Sequence, residues 1–391
     1  MTESGTMRVV VIGAGVIGLS VATELARQGA AVTVVEQNSP GSGTSATTYA
    51  WVNANNKQPR SYYELNLAGL EAHHRLAREA GGDWLVPSGH VEVATDDAHR
   101  RELSVRSERL RDFGYAAEPV SAARVRELVP DLRVGPGADS VYYPREAYCF
   151  PQRYIAFLLR RADELGVRIL TGARVEKFTD TAGAPVLLLS DGSQLTADRV
   201  VSCAGRWTAE LFRHTAAEVP MTEFEHPGDS TVGYLAVTSA VPVALTRILT
   251  TSRLNVRPDG AGRLLLQALD LDATADPGSV PSVRSDLARE FVARLQDVLA
   301  HTEAASIIDL RVGQRPIPAD GLTVAGPVSA MPWLYVVATH SGVTLAPLLG
   351  ASVARELRGE PEPLLDDFRP GRLTAGGTPA APAPPRRPGQ Q

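Results

Sequence analysis

The chain has 391 residues, with 39 Lys or Arg, 44 Asp or Glu and a net charge of −5 at pH 7. This length exceeds what one hydrophobic core usually supports, so we expect two domains, and the small, scattered charge argues against a nucleic-acid partner. Two isolated cysteines, Cys149 and Cys203, indicate neither a disulfide framework nor a metal site, and favour a cytoplasmic location. Glu24 interrupts the apolar stretch 9–26, so we predict no transmembrane segment.

The chain begins with the pattern of a strand, a glycine-rich turn, a helix and a second strand. Residues 8–12 are apolar and β-branched, which is typical of a strand buried in a parallel sheet. The turn Gly13-Ala-Gly-Val-Ile-Gly18 follows, then a predicted helix over 19–28 and a predicted strand over 31–36. This order is that of a dinucleotide-binding unit.

Each glycine of the turn has a physical task in such a unit. Gly13 permits the tight turn, Gly15 lets the backbone approach a pyrophosphate, and Gly18 allows the helix to pack closely on the strand. Glu36 ends the second strand, where its carboxylate would bind ribose hydroxyls and disfavour a 2′-phosphate. The alternative is an α/β fold that binds no nucleotide. The predicted dinucleotide contacts here are Gly13, Ala14, Gly15, Val16, Ile17, Gly18, Glu36 and Gln37.

A second amphipathic helix is predicted over 62–79 and contains His73 and His74. Adjacent residues cannot share a helix face, so this pair predicts a solvated or capping role rather than a metal site. Residues 86–94 then begin a more antiparallel region, which 234–269 continues with alternating strands and turns. Other predicted elements are helices over 97–113, 122–129, 153–165, 283–300 and 344–357, strands over 167–170, 199–205 and 333–338, and a hairpin turn at 190–193.

Four motifs together resemble the D-amino-acid oxidase (DAO) superfamily, in particular its glycine oxidases, sarcosine oxidases and D-amino-acid dehydrogenases. They are the glycine turn, the loop Gly43-Thr-Ser-Ala46 leading to Trp51, the strand end Ala204-Gly205-Arg-Trp207, and Arg315-Pro-x-Pro-x-Asp320-Gly321 followed by Thr339-His-Ser-Gly342. The resemblance implies a bound FAD. The further FAD contacts that it implies are Thr44, Ser45, Ala46, Trp51, Val175, Ala204, Gly205, Trp207, Arg315, Ser341, Gly342, Val343 and Thr344.

The same resemblance implies an α/β fold, in which a Rossmann-like FAD-binding domain is interleaved with an α+β substrate domain on an antiparallel sheet. Sarcosine oxidases attach flavin to a cysteine near the C-terminal glycine segment, and no cysteine occurs there in this chain, so we expect noncovalent FAD. The implied boundaries are 1–85, 145–220 and 312–372 for the FAD-binding domain, 86–144 and 221–311 for the substrate domain, and 373–391 for a disordered tail.

The implied chemistry is hydride transfer from the substrate Cα–H to flavin N5, giving an imine that hydrolyses to an oxo acid, with oxygen or another molecule as electron acceptor. Arg315 is the predicted partner of a substrate carboxylate, and an ion pair with Asp320 is its alternative role. His340 and Tyr234 are the other candidates for the substrate pocket, and each could instead lie in the core. Weaker candidates for the carboxylate are Arg253, Arg257 and Arg311.

Two other functions stay open at this point. A flavin dehydrogenase of 2-hydroxy acids or polyol phosphates shares the fold, and a flavin-binding module without turnover would share the cofactor motifs. The sequence does not decide the side chain of the substrate, and a homo-oligomer is left open.

Overall fold

The computed structural model describes residues 6–133, 135, 137–181, 184–215 and 217–373. The helices are α1 (Val16–Arg27), α2 (Arg60–Ala80), α3 (Asp97–Asp112), α4 (Ala122–Leu128), α5 (Pro151–Glu164), α6 (Thr208–Phe212), α7 (Asp286–Val298) and α8 (Gly342–Glu356). The strands are β1 (Arg8–Ile12), β2 (Ala31–Glu36), β3 (Trp51–Val52), β4 (Leu85–Val86), β5 (His90–Ala94), β6 (Glu118–Pro119), β7 (Asp139–Tyr143), β8 (Ala147–Cys149), β9 (Arg168–Thr171), β10 (Val175–Thr181), β11 (Ala184–Leu189), β12 (Gln194–Thr196), β13 (Arg199–Ser202), β14 (Met221–Thr222), β15 (Val232–Thr238), β16 (Ile248–Thr251), β17 (Asn255–Pro258), β18 (Leu264–Gln267), β19 (Ile307–Gln314), β20 (Ile317–Pro318), β21 (Val324–Val328) and β22 (Met331–Ala338).

The first sheet runs in the order β21-β22-β13-β1-β2-β9 and is parallel except at β21. Its central strands are apolar and almost fully buried because helices cover the sheet, as the sequence predicts for β1. Ile12 pairs with Val35 on one side and with Ser202 on the other. The carboxyl ends of these strands therefore lie along one edge, where an open α/β sheet binds its ligands.

The second sheet runs in the order β19-β15-β18-β17-β16-β5-β7-β6. All its pairs are antiparallel except β5 with β16, which are parallel because the chain enters the sheet at β5 and returns to it much later at β16. A parallel sheet with an interleaved, largely antiparallel one confirms the predicted α/β fold class. No helix in the described ranges combines the length and hydropathy needed to cross a membrane.

Local signals explain most helix ends. Pro151 opens α5, where its missing N–H costs nothing, and Gly81 ends α2 in the left-handed conformation. Asp96 caps α3 with hydrogen bonds from Ala98 and His99 N–H. These helices lie within a few residues of the predicted ones.

The predicted domain boundaries fall close to sheet boundaries, but the boundary between residues 85 and 86 divides β4, and two more positions differ. The boundary at residue 312 lies inside β19, whose Gln314 pairs with Val232 of the second sheet, so that strand belongs wholly to the second sheet. Leu373, predicted as the first residue of the tail, is 3 % exposed and packs in the core. The rest of the predicted tail lies outside the described residues, and the division into two domains stays a prediction.

The predicted solvated role of the histidine pair is wrong for His73. Its side chain is fully buried on α2, and its ring lies 5.0 Å from that of Tyr154 in an edge-on arrangement. His74, its neighbour on the next helix face, lies nearer the surface and contacts the carbonyl oxygen of Arg145 at 3.0 Å. The buried face of α2 therefore includes His73 as well as apolar side chains such as Leu65 and Leu70.

Candidate active site

A cleft opens at the carboxyl edge of the parallel sheet, with a cavity volume of about 430 Å³. The ends of β1 and β22 contribute Ile12 and Ala338 to its lining, while the second sheet contributes Gly233, Leu235 and Gln267. The cleft thus lies between the two sheets, and its volume is in the range of sites for small organic ligands.

The glycine turn forms one wall of this cleft. Gly13 has φ +99°, and a Cβ there would lie 2.5 Å from the carbonyl oxygen of Cys203. A Cβ on Gly18 would lie 1.9 Å from the carbonyl oxygen of Gly13, so this residue serves packing and does not line the cleft. Gly15 lines the cleft and caps α1 without a side-chain hydrogen bond, so the N–H groups of the first turn point to the cleft.

Glu36 lies at the end of β2 and lines the cleft beside Gln37. One carboxylate oxygen accepts a hydrogen bond from Ala14 N–H at 2.9 Å, and the other accepts one from Asn38 N–H at 2.8 Å. Two backbone groups therefore fix the carboxylate. Ala14 lies outside the cleft lining and contributes to the site through its hydrogen bond to Glu36.

A short helical turn after β2 carries the predicted loop residues. Thr44 and Ser45 line the cleft, and Ser45 Oγ accepts a hydrogen bond from Val16 N–H at 3.2 Å. Ala46 lies outside the lining, and its carbonyl accepts a hydrogen bond from Arg311 at 3.4 Å. The loop is thus held against the start of α1.

The same loop contacts β19 of the second sheet. Thr44 Oγ1 donates to the carbonyl oxygen of Gln314 at 2.7 Å. A Cβ on Gly313 would lie 2.5 Å from the carbonyl oxygen of Thr47. The absence of a side chain at Gly313 therefore lets β19 lie directly on the loop.

The C-terminal glycine segment forms a neighbouring part of the cleft wall. Ser341 N–H donates to Thr339 Oγ1 at 3.0 Å, and Ser341 Oγ lies 2.8 Å from Tyr62 OH. Thr344 Oγ1 donates to the carbonyl oxygen of Trp51 at 3.3 Å. The helix α8 starts here without a side-chain cap. The lining residues of this segment are Thr339, His340, Ser341, Gly342, Val343 and Thr344.

Helices α1 and α8 pack side by side with both N-termini at the cleft. A Cβ on Gly350 would lie 2.7 Å from the carbonyl oxygen of Ser20, so the two helices are in close contact. A Cβ on Gly342 would lie 3.8 Å from Cγ1 of Ile17. Two segments more than 300 residues apart therefore turn the positive ends of their helix dipoles toward one cavity.

Trp51 lies in the cleft wall and is anchored from behind. Its indole N–H donates to Glu146 Oε2 at 2.8 Å. The buried Glu146 carboxylate also lies 3.1 Å from His90 Nδ1 and accepts a hydrogen bond from Tyr115 OH at 3.1 Å. Other predicted residues that line the cleft are Val175, Ala204, Gly205 and Trp207.

The side chain of His340 is exposed to the cleft, and the other walls of the cleft surround it. The surrounding protein and the positive charges of Lys57 and Arg315 lower the pKa of His340 below its usual value. The imidazole is therefore neutral at physiological pH.

Arg315 lines the cleft, as the sequence predicts, but its ion-pair partner differs from the expected one. Its guanidinium binds Asp272 at 2.9 Å and donates to the carbonyl oxygen of Ser230 at 3.1 Å. Asp320, the predicted partner, binds Arg372 at 2.7 Å instead. The charge of Arg315 is thus compensated by a fully buried carboxylate.

Tyr234, a predicted pocket residue, lies outside the cleft. Its hydroxyl donates to the carbonyl oxygen of Thr274 at 2.7 Å in the core behind the sheet. Its neighbours Gly233 and Leu235 line the cleft instead, because successive strand residues point to opposite faces.

The weaker arginine candidates also lie elsewhere. Arg257 is buried and donates to the carbonyl oxygen of Tyr49 at 2.7 Å. Arg253 and Arg311 form ion pairs with nearby carboxylates. All three lie outside the cleft lining.

Comparison with known proteins identifies the family. Residues 8–356 match the DAO family, described as FAD dependent oxidoreductase. The chain belongs to this family.

Two curated relatives of this DAO-family chain align over most of its length. It is 25 % identical over 357 residues to a glycine oxidase of Geobacillus kaustophilus, covering 88 % of this chain and 91 % of the relative. It is 26 % identical over 390 residues to a D-proline dehydrogenase of Pyrobaculum islandicum, covering 91 % and 97 %. The crystal structure of the Geobacillus kaustophilus glycine oxidase superposes with a TM-score of 0.81 at 24 % identity, covering 93 % of this chain and 98 % of that one, which confirms the fold.

FAD is the cofactor of this DAO-family enzyme, and the cleft fits it on structural grounds. Neither N-cap residue, Gly15 of α1 or Ser341 of α8, caps its helix with its side chain, and such helix N-termini favour negative charge, as phosphates require. A Cβ on Gly15 would lie 3.2 Å from Ser45 Oγ, so the bare backbone leaves room for a close approach. Glu36 is fixed as an acceptor for hydroxyl groups.

Several cleft residues of this DAO-family enzyme escaped the sequence analysis. Lys57 is the most informative of them, because only two of the 39 basic residues are lysines. The scarcity of lysine relative to arginine is visible in the composition and could have pointed to Lys57. The others lie on elements whose mutual positions depend on long-range pairing, and include Asn53, Thr48, Glu210 and Gln267.

Proposed function

We propose that this enzyme oxidises the C–N bond of a small amine or amino acid by hydride transfer from the substrate Cα–H to flavin N5. The product is an imine, which water hydrolyses to an oxo acid. The relatives named glycine oxidase and D-proline dehydrogenase support this reaction class. The observation that carries it is the distribution of charge along the cleft.

The carboxylates of the described cleft lining all lie in one part of it, where the one arginine, Arg174, pairs with Glu176 at 3.1 Å. The carboxylates come from β2, β10 and α6, beside the predicted adenosine contacts, and are Glu36, Glu176 and Glu210. Near the start of α8 the lining instead contains Lys57, Arg315 and the neutral His340. An amino acid with a free carboxylate suits this second region, because its negative charge meets cations and no carboxylate.

The residues that hold FAD follow from the same geometry. The first turn of α1, with Thr44 and Ser45, binds the pyrophosphate, and Glu36 binds the ribose. The start of α8 binds the pyrimidine end of the flavin, where a helix N-terminus favours negative charge. Binding is noncovalent. When bound, FAD supplies the acceptor for a hydride, and the two-electron reduced flavin carries the negative charge that this helix end stabilises.

The protein itself contributes orientation and a suitable charge environment. A neutral His340 adds no positive charge beside the amine, so it does not oppose the cation that forms as the hydride leaves. Arg315 remains the proposed contact for the substrate, through a guanidinium whose charge is shared with Asp272. Trp51, anchored by Glu146, provides a rigid apolar surface.

The test is anaerobic mixing of the purified holoenzyme with amino acids, N-alkyl amino acids, simple amines, 2-hydroxy acids and polyol phosphates. We expect loss of the visible flavin band with members of the first two groups, and formation of the corresponding oxo acid. Reoxidation by oxygen and by a quinone then shows whether the enzyme is an oxidase or a dehydrogenase.

Bleaching by 2-hydroxy acids or polyol phosphates alone would overturn the proposal in favour of the alternative dehydrogenase. A flavoprotein that no compound reduces, although dithionite does, would indicate a binding module without turnover.

A further inference from the structure

Lys57 lies in the loop between β3 and α2 and lines the cleft, with only 9 % of its surface exposed. The chain otherwise uses arginine almost exclusively, since Lys177 is the only other lysine and lies exposed on β10. A lysine differs from an arginine in being a compact, strongly hydrated point charge that is costly to bury. Its presence in this cleft therefore calls for a partner that compensates the charge.

The described residues give Lys57 no carboxylate at ion-pair distance. Its contact with the Tyr62 ring is weak, because Nζ lies 5.9 Å from the ring centre. The hydroxyl of Tyr62 in turn lies 2.8 Å from Ser341 Oγ in the C-terminal glycine segment. Lys57 therefore lies near this segment, and the Tyr62 ring does not neutralise its charge.

The other cation in this region is already compensated. Arg315 is bound to Asp272 and donates to the carbonyl oxygens of Ser230 and Val232. Its guanidinium therefore already has a carboxylate partner within the protein. His340 lies close enough for Lys57 to lower its pKa and adds no charge of its own. Among the described residues at this end of the cleft, the uncompensated positive charge is that of Lys57.

We propose that Lys57 binds the carboxylate of the substrate, so that this enzyme acts on amino acids and not on simple amines. The inference rests on the proposed function and names its substrate class. Lys57 lines the cleft without a carboxylate from the described residues at ion-pair distance, so a carboxylate bound in the cleft would supply the opposite charge. The two helix N-termini face the phosphates and the pyrimidine end of FAD, which leaves Lys57 for the substrate.

The first test measures binding without turnover. Benzoate and benzamide, which are not oxidised, are titrated into the holoenzyme and followed by the change in the flavin spectrum. In Lys57→Met the Kd for benzoate rises by about 100-fold, as expected when a buried charge pair loses one partner. Lys57→Arg, which keeps the charge, stays within about tenfold of the unsubstituted enzyme, and benzamide binds all variants alike.

Lys177→Met is the matched control, because it removes the only other lysine from an exposed strand outside the cleft. It leaves the Kd for benzoate unchanged. Flavin content and circular dichroism of each variant show that the fold and the cofactor are retained. If Lys57→Met loses its flavin, the second test below still decides the point in the unsubstituted chain.

The second test uses the scarcity of lysine. Reductive methylation with isotope-labelled formaldehyde gives two side-chain signals in the NMR spectrum besides that of the α-amino group, and Lys177→Arg assigns them. Benzoate shifts the Lys57 signal and leaves the Lys177 signal in place. An unmoved Lys57 signal at saturating benzoate overturns the proposal.

The outcomes separate this proposal from the function on which it rests. If amino acids reduce the flavin but Lys57→Met binds benzoate as tightly as the unsubstituted enzyme, the role of Lys57 is wrong and the function stands. The role of Lys57 is also wrong if Lys57→Met is slowed only in reoxidation by oxygen. If no amine or amino acid reduces the flavin while benzoate still shifts the Lys57 signal, the proposed function fails and the anion site remains.

Discussion

Glu36 makes two backbone hydrogen bonds that leave little freedom to its carboxylate. We expect Glu36→Gln to weaken FAD binding by about tenfold, because charge-assisted hydrogen bonds to the ribose become neutral ones. Fluorescence quenching of FAD by the apoprotein measures this Kd. Glu64→Gln, at an exposed ion pair with Arg60 on α2, is the control and leaves it unchanged. Equal Kd values for both variants would contradict the role of Glu36.

Alanine substitutions at the nearby positions Gly13 and Gly15 should affect different properties, folding in the first case and cofactor binding in the second. Gly13→Ala is strained at φ +99° and clashes with the carbonyl of Cys203, so we expect it to lower the free energy of unfolding of the apoprotein by about 2 kcal/mol or more. Gly15→Ala meets only the Ser45 hydroxyl and should fold normally but bind FAD poorly. Urea denaturation and flavin titration of both variants check the distinction. It is wrong if Gly15→Ala binds FAD normally.

His73 predicts a dependence of stability on pH. Burial lowers its pKa from 6.5 to about 3, and His74 adds a smaller repulsion. Below pH 6.5 the unfolded chain binds a proton that the folded chain does not, so acid favours unfolding until the pH falls to about 3. When the pH falls from 6.5 to 5, the free energy of unfolding of His73→Leu should therefore decrease by about 2 kcal/mol less than that of the unsubstituted chain. Denaturant-induced unfolding at several pH values measures this difference, with His301→Gln, at an exposed histidine, as the control.

At the scale of elements, the contact of α1 with α8 determines where the two helix N-termini lie. Gly350→Ala would place a Cβ 2.7 Å from the carbonyl oxygen of Ser20 and push the helices apart, and neither residue lines the cleft. We expect weaker FAD binding together with a loss of about 1–3 kcal/mol in unfolding free energy. Gly371→Ala, whose added Cβ would have no atom within 4 Å, is the matched control. Unchanged FAD affinity in Gly350→Ala would show that the helix positions are not set by this contact.

Elements with a local signal could be predicted from the sequence, and their partners often could not. The glycine turn and the start of α8 are specified by nearby residues, and both lie in the cleft as predicted. All residues of β15 are buried, so the alternation of its side chains does not indicate which face of the strand meets the cleft. The sequence-based prediction therefore places Tyr234 on the wrong face. Asp272 lies 43 residues from Arg315 in sequence, and only the sheet brings them together.

At the scale of the molecule, the cleft takes residues from both sheets, so FAD binding and folding are linked. We expect free FAD at 100 times its Kd to stabilise the apoprotein by about 2.7 kcal/mol, visible as a rise in melting temperature. Acid precipitation should release the flavin into the supernatant, because no covalent bond is expected. Flavin retained in the pellet would contradict noncovalent binding.

The bare backbone at Gly313 has a mechanical consequence. Because β19 lies directly on the loop that carries Thr44, we expect this contact to resist a hinge rotation between the two sheets. The substrate side and the loop beside the cofactor should then keep the same relative position in the free and in the substrate-bound enzyme.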